Sequence, residues 1–280
     1  MNKIAIVTDS TADLPQELVD QYGITVVPLK VIFYGKEVFY DGVDLLPEQF
    51  YNRLAEKGQI ATTSQPSPAE FAAVYQQLLP EADIISVHIS SHLSGTVQSA
   101  KLASQMFPEH RIFVIDSKLA SMGMGLVVLE AARAIAAGKS LEEVLNIVHS
   151  TITKCKVFFF VDSLKYLQQG GRIGKANALL GTMLSIKPIL RLNDGIIEPY
   201  EKVRGRSKAL ERLAQIFQEK TTGKRVNYCL LHGNDQQGLE TLLHSIVPTM
   251  PFGPPIISRV GPVVGTHVGP GVVGLTFIEY

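Results

Sequence analysis

Three times in the first half of this 280-residue chain, a short β-branched apolar run ends in a polar cluster. Ile4-Ala5-Ile6-Val7 leads into Thr8-Asp9-Ser10-Thr11-Ala12-Asp13. Ile84-Ile85-Ser86-Val87-His88-Ile89 leads into Ser90-Ser91-His92-Leu93-Ser94-Gly95-Thr96, and Ile112-Phe113-Val114-Ile115 into Asp116-Ser117-Lys118. Each cluster is followed by a helical pattern. Strands that alternate with helices pair in parallel, because a parallel connection needs a crossover. The repeated unit therefore predicts an α/β fold: a doubly wound, mostly parallel three-layer αβα domain over residues 1–155. Its polar clusters fall on the carboxyl edge of the sheet, where such folds bind ligands.

The second cluster carries the most chemistry. Val97, Ala100, Ala103 and Phe107 follow it at helical spacing, so its four hydroxyls in seven residues sit where a strand becomes a helix. Helix N-termini hold unpaired N–H groups and partial positive charge, and Gly95 lets the backbone approach a ligand. An anion site and a capped helix with spare serines both fit this stretch. The cluster after Val7 is open in the same way, between a ligand edge and a turn capping the helix that Pro15 opens.

Val26 to Phe33 reads as a strand, turning at Tyr34-Gly35-Lys36 into Glu37-Val38-Phe39-Tyr40, and Pro47 starts a helix. Ser67, Pro68 and Glu70 form a capping box, as do Ser140 and Glu143. The first box leaves Thr62, Thr63, Ser64 and Gln65 unexplained in an extended, hydroxyl-rich loop able to face Ser94. Met122 to Ala137 is an apolar helix closed by Gly138.

The second half changes character. Asn193-Asp194-Gly195 is a hairpin turn between Lys187–Leu192 and Ile196–Tyr200. Strands at Lys156–Val161, Val226–Leu231, near Ile256 and at Val272–Ile278 mix with helices at Ser207–Glu219 and near Leu239–Val247. This predicts an α+β domain with a mixed or antiparallel sheet over residues 156–280. Between the last strands, Pro262 to Gly271 reads as a glycine-rich loop. His267 has little packing to serve there, which marks it as a functional candidate.

Composition removes several classes. Lys+Arg and Asp+Glu are 26 each, so no net field draws nucleic acid or an anionic membrane. Cys155 and Cys229 each lie in an apolar run and read as buried thiols of a reducing compartment. The first apolar stretch is too short for a signal peptide and no run approaches a membrane span, which implies a cytoplasmic protein without a stable membrane anchor. Gly138-Lys139-Ser140 lacks the first glycine of a P-loop, with Arg133 in its place. Gly269-Pro270-Gly271-Val272-Val273-Gly274 precedes a strand and opens no helix, so it fails as a dinucleotide fingerprint. No Cys/His set has metal spacing. No cofactor, metal or nucleotide site is expected.

Taken in order, Thr8-Asp9-Ser10-Thr11-Ala12-Asp13-Leu14, Thr63-Ser64-Gln65-Pro66, Ser90 to Thr96, Asp116-Ser117-Lys118, Gly170-Gly171-Arg172-Ile173 and Thr266-His267-Val268-Gly269-Pro270-Gly271 resemble the DegV family from the first strand to the last. The resemblance implies a two-domain bacterial protein holding one long-chain fatty acid, such as palmitate, stearate or oleate, at the domain interface. It implies presentation of the carboxylate to a partner fatty acid kinase, feeding phospholipid synthesis. The carboxylate is then held by Thr63 and Ser94, with His267 close by and Thr62 an alternative to Thr63. Arg172, Ser64 and Gly95 fall near the head group, and Arg204, with Arg206 second, near the docked kinase. Two hydroxyl donors near a helix N-terminus suit an anion that must later be exposed. Burying a sixteen-carbon chain gains on the order of 10 kcal/mol before ordering costs, at roughly 0.8 kcal/mol per CH₂. The helix from Met122 and the Phe158-Phe159-Phe160 run are candidate walls, or plain core.

A serine hydrolase or acyl transferase is the competing reading, with Ser94 as nucleophile, His267 as base and Asp9 or Asp116 orienting it. It requires a His267–Ser94 hydrogen bond. A sugar- or phosphate-binding regulator using the same helix N-terminus is the third.

Overall fold

The computed structural model describes residues 3–56, 61–79, 81–181, 186–246 and 253–280. Its strands are β1 (Lys3–Asp9), β2 (Thr25–Val27), β3 (Lys30–Phe33), β4 (Glu37–Tyr40), β5 (Ala61–Ser64), β6 (Ala82–His88), β7 (Ile112–Asp116), β8 (Cys155–Phe160), β9 (Ile186–Asn193), β10 (Ile196–Arg204), β11 (Val226–His232), β12 (Ile256–Arg259) and β13 (Val273–Glu279). Its helices are α1 (Gln16–Tyr22), α2 (Pro47–Ala55), α3 (Pro68–Leu78), α4 (Thr96–Ser104), α5 (Met122–Ala136), α6 (Leu141–Lys154), α7 (Lys165–Gln169), α8 (Arg206–Thr221), α9 (Gln236–Ile246) and α10 (Pro262–Val268). The helix expected to reach Val247 is described as far as Ile246.

The expected parallel sheet is present, with four strands in the order β2-β1-β6-β7. A six-stranded mixed sheet, β10-β9-β8-β13-β11-β12, forms from the second half, parallel only between β11 and β12. The chain is an α/β protein with one parallel and one mixed sheet.

Two expectations are corrected. Val26 to Phe33 is not one strand: β2 joins the parallel sheet and β3 a separate antiparallel sheet, β4-β3-β5. The break falls at Pro28, which has no N–H to continue a ladder. The hydroxyl-rich segment before Ser67 is not a loop but β5, paired with β3.

Helix α5 explains its own composition. Eleven of its fifteen residues are buried, because it lies between the two large sheets. Its Met122, Leu126 and Val127 share one apolar core with Ile6 and Ile85 of the parallel sheet and with Val157 and Leu231 of the mixed sheet. The outer face of the parallel sheet packs on α3 and α4 through Phe71, Tyr75 and Ala100. The outer face of the mixed sheet packs on α8 and α9. A helix covered all round must be apolar all round.

Candidate functional site

A cavity of about 360 Å³ opens in the core between the sheets, lined mainly by aliphatic side chains. Val157 and Leu192, paired across β8 and β9, form part of its wall, with Val263, Val264 and Val268 of α10. Phe158 and Phe159 also line it, whereas no residue of α5 does. That helix is core. At one end the lining turns polar: Thr63, Ser64, Gln65, Ser94, Arg172 and His267 meet there.

Strand alternation decides which threonine arrives. Successive β5 side chains point to opposite faces. Thr63 sits opposite the fully buried Val31, while Thr62 sits opposite Ile32 and is exposed. Thr62, the expected alternative to Thr63, therefore lies on the opposite face of β5.

His267 was expected in a loop, but it lies on α10. Pro262 opens this helix at a position where its missing N–H costs nothing, and Gly269 follows it at φ +76°. Its N-terminus is anchored by the N-terminal half: Gly261 N–H donates to Asp13 Oδ1 at 3.0 Å and Ser258 Oγ donates to the Asp13 carbonyl oxygen at 2.5 Å. Burial pushes the Asp13 carboxyl well above the usual carboxylate range. Asp9 accepts from the Thr11 amide at 3.1 Å. The polar cluster after β1 thus works as a turn and an anchor.

His267 Nε2 lies 2.9 Å from Thr63 Oγ1, and Nδ1 is buried without a hydrogen-bond partner among the described residues. A Cβ on Gly170 would stand 2.1 Å from that Nδ1, so only glycine lets the ring pack so close. Burial first, and the Arg172 guanidinium second, lower the imidazole from its usual 6.5 to about 4. The ring is neutral at pH 7. With its proton on Nε2 it donates to Thr63, freeing the threonine O–H to donate into the cavity.

Ser94 Oγ lies 2.8 Å from Thr96 Oγ1 and accepts the Thr96 N–H at 3.3 Å, one of the free donors opening α4. Gly95 lies beneath the Gln65 amide, which would stand 2.3 Å from an added Cβ. Gln65 Nε2 donates to Ser99 at 2.9 Å and so ties β5 to α4. Arg172 donates through Nε to Leu93 O at 2.9 Å and through a terminal nitrogen to Gly170 O at 2.6 Å. Among the described residues it has no carboxylate partner. The heptad also joins the two halves, because Ser90 Oγ donates to Gly195 O at 2.9 Å across 105 residues.

The hydrogen bond that a Ser94 nucleophile requires is not made, since His267 is spent on Thr63. A Ser–His–Asp arrangement does occur, but elsewhere. Ser86 Oγ lies 2.6 Å from His88 Nε2, and His88 Nδ1 lies 3.0 Å from Asp9 Oδ2, all fully buried and outside this cavity. The other proposed orienting group, Asp116, accepts Ser91 Oγ at 2.6 Å.

The two docking candidates differ. Arg204 ends β10 and is exposed. Arg206 is committed internally: it donates to Asp162 at 2.6 Å, pairs with Asp235 and stacks over Phe160 at 5.2 Å. A brace of this kind holds loops together, so Arg206, the second docking candidate, is less available than Arg204.

Ser121 and the Leu93 carbonyl were not singled out from sequence. Gln65 stood out only as part of the unexplained segment before Ser67, and Ser121 had no signal beyond its place before α5. In the structure Ser121 lines the cavity and donates to Asp13.

A parallel sheet and a mixed sheet enclosing an apolar cavity with a hydroxyl, imidazole and guanidinium end define a small-ligand-binding α/β class. The model of the family described as uncharacterised protein, DegV family, matches residues 3–280. This chain belongs to the DegV family. A DegV domain-containing protein of Caldanaerobacter subterraneus is 39% identical over 100% of both chains. A structure described as fatty acid binding of a DegV family protein from Thermus thermophilus superposes with a TM-score of 0.94 at 39% identity, covering 100% of both chains. DegV from Bacillus subtilis, described as a fatty acid binding protein, gives 0.92 at 32% identity over 100% of both. A stearic acid-binding protein from Eubacterium ventriosum gives 0.89 at 27%, covering 100% of this chain and 98% of that one.

Proposed function

We propose that this chain binds one long-chain fatty acid, its carboxylate at the polar end of the cavity and its acyl chain along the aliphatic wall. The observation that carries this is the Arg172 guanidinium, always charged and without a carboxylate partner among the described residues, at the end of an otherwise apolar space. A bound carboxylate supplies the missing anion. Thr63 and Ser94 donate their hydroxyls to it, His267 orients Thr63, and Gln65, Ser64 and Gly95 shape the surroundings. The relatives described as fatty acid binding support the ligand class. Residues 1–155 and 156–280 act as two domains with the ligand between them. The protein works in the cytoplasm, presenting the carboxylate to a fatty acid kinase that feeds phospholipid synthesis, with Arg204 at the docking surface. No resident cofactor or metal takes part.

Solvent extraction of the purified protein followed by mass spectrometry tests the ligand. Long-chain fatty acid at one equivalent supports the reading. A lipid-free extract, with covalent labelling of Ser94 by a serine-directed phosphonate, overturns it in favour of a hydrolase. Arg204→Ala is expected to keep full lipid content while slowing kinase-dependent phosphorylation, and loss of lipid in that variant removes Arg204 from a docking role.

A further inference from the structure

We propose that the open edge of β7 is a docking site for an extended, acidic segment of a partner protein, which adds to the parallel sheet as a further strand. β7 ends the sheet: its inner side pairs with β6, and no strand among the described residues pairs with its outer side. The strand reads Ile112-Phe113-Val114-Ile115-Asp116, an apolar β-branched edge with neither proline nor lysine to block pairing. An uncovered edge of this composition is a hazard unless something protects or uses it.

The edge is not flush with the surface. It forms one side of a groove of about 1010 Å³, lined by all five β7 residues, by α6 and, opposite, by β8 and β9. At about 3.3 Å per residue the edge offers roughly 17 Å of backbone, enough for a short added strand.

The charges around the groove select the occupant. Lys118, Lys156, Arg191 and Lys220 line it against Asp116 and Asp194, a local surplus in a chain of zero net charge. Lys118 is matched by Asp194 and Arg191 by Glu198. Lys156 and Lys220 have no carboxylate partner among the described residues. Lys156 Nζ reaches only the Thr153 carbonyl at 3.2 Å, and Lys220 lies 5.7 Å from the Phe158 ring. Arg191 Nε is buried without an acceptor among the described residues. Main-chain pairing with β7 supplies affinity, and carboxylates facing these cations supply selectivity and speed of encounter. Val157, Phe158 and Leu192 line both groove and cavity, so a docked strand lies one layer of β-structure from the bound ligand.

The probe is a fluorescein-labelled synthetic peptide alternating valine and glutamate, titrated against the full chain by anisotropy, with amide exchange followed at residues 112–116. Saturable binding that slows exchange in β7 is expected. Lys156→Glu with Lys220→Glu, changes at one exposed and one half-buried lysine, should weaken binding at least tenfold with unchanged circular dichroism. The same peptide N-methylated at alternate amides should not bind. Equal binding of the N-methylated peptide reduces the site to simple charge attraction and overturns strand addition. Binding indifferent to the charge reversals, or the absence of binding and of protection at β7, overturns the proposal outright.

Discussion

His88 and His267 both lie against hydroxyl groups inside the protein, Nε2 being 2.6 Å from Ser86 in one case and 2.9 Å from Thr63 in the other. Their other nitrogens differ. His88 Nδ1 meets the Asp9 carboxylate, which also takes the Thr11 and Ile89 amides, while Tyr75 closes the far end on Ser86. The Phe71 ring packs edge-on against the imidazole at 4.9 Å. Nothing is left over, and the network stitches the ends of β1 and β6 together. At His267, among the described residues, Nδ1 has no partner and the adjacent arginine no carboxylate, and the space beside them is a cavity. Buried polar groups are normally satisfied, so the open network in the cavity wall fits the head-group end proposed above, whereas the closed one fits architecture.

The sharpest break in this comparison comes from removing the open network's hydroxyls. Hydrogen bonds to a charged group contribute about 1.5–3 kcal/mol each. Thr63→Ala with Ser94→Ala should therefore lower fatty-acid affinity by about 10²–10⁴-fold in competition with a fluorescent fatty acid, with the urea midpoint near that of the parent. A double variant that keeps its full complement of lipid would remove both residues from the head-group site.

The closed network should behave in the opposite way. His88→Ala leaves the Asp9 carboxylate buried without its partner, a loss of about 3–5 kcal/mol in unfolding free energy. The fraction that folds should still bind fatty acid with parental affinity. A stable His88→Ala variant with impaired binding would reverse the roles assigned to the two histidines.

A smaller effect sharpens the contrast through pH. The folded His267 imidazole sits at about 4 against the usual 6.5, so between those values the unfolded chain holds a proton that the folded chain does not. Stability from this group is complete above pH 6.5 and falls as pH drops toward 4, by up to about 3 kcal/mol. Asp41, raised by burial to about 7, acts with opposite sign over the same window. The test is therefore the difference between parent and His267→Asn unfolding profiles: it should shrink from pH 7 to pH 4. A flat difference would mean that the buried ring is not held neutral by folding.

Local rules were legible at particular residues. Ser67 with Glu70 and Ser140 with Glu143 cap α3 and α6 as their spacing requires. Asp194 and Gly195 take the positive φ that the turn between β9 and β10 demands. The three strand-to-cluster units form β1, β6 and β7 of one parallel sheet. Each of these signals acts within a few residues, through a cap, a turn or a hydrophobic period, and so survives in the sequence alone.

What the tertiary structure alone decided is who faces whom. Thr63 rather than Thr62 reaches the cavity because β5 pairs with β3 in one register, and it meets His267 across 204 residues. Arg206 becomes a brace and Arg204 stays exposed because Asp162 and Asp235 converge on one of them. His267 rides a helix anchored by Asp13, a contact spanning 248 positions to Gly261. Burial and pairing at such separations depend on how whole sheets pack, and no local pattern encodes that.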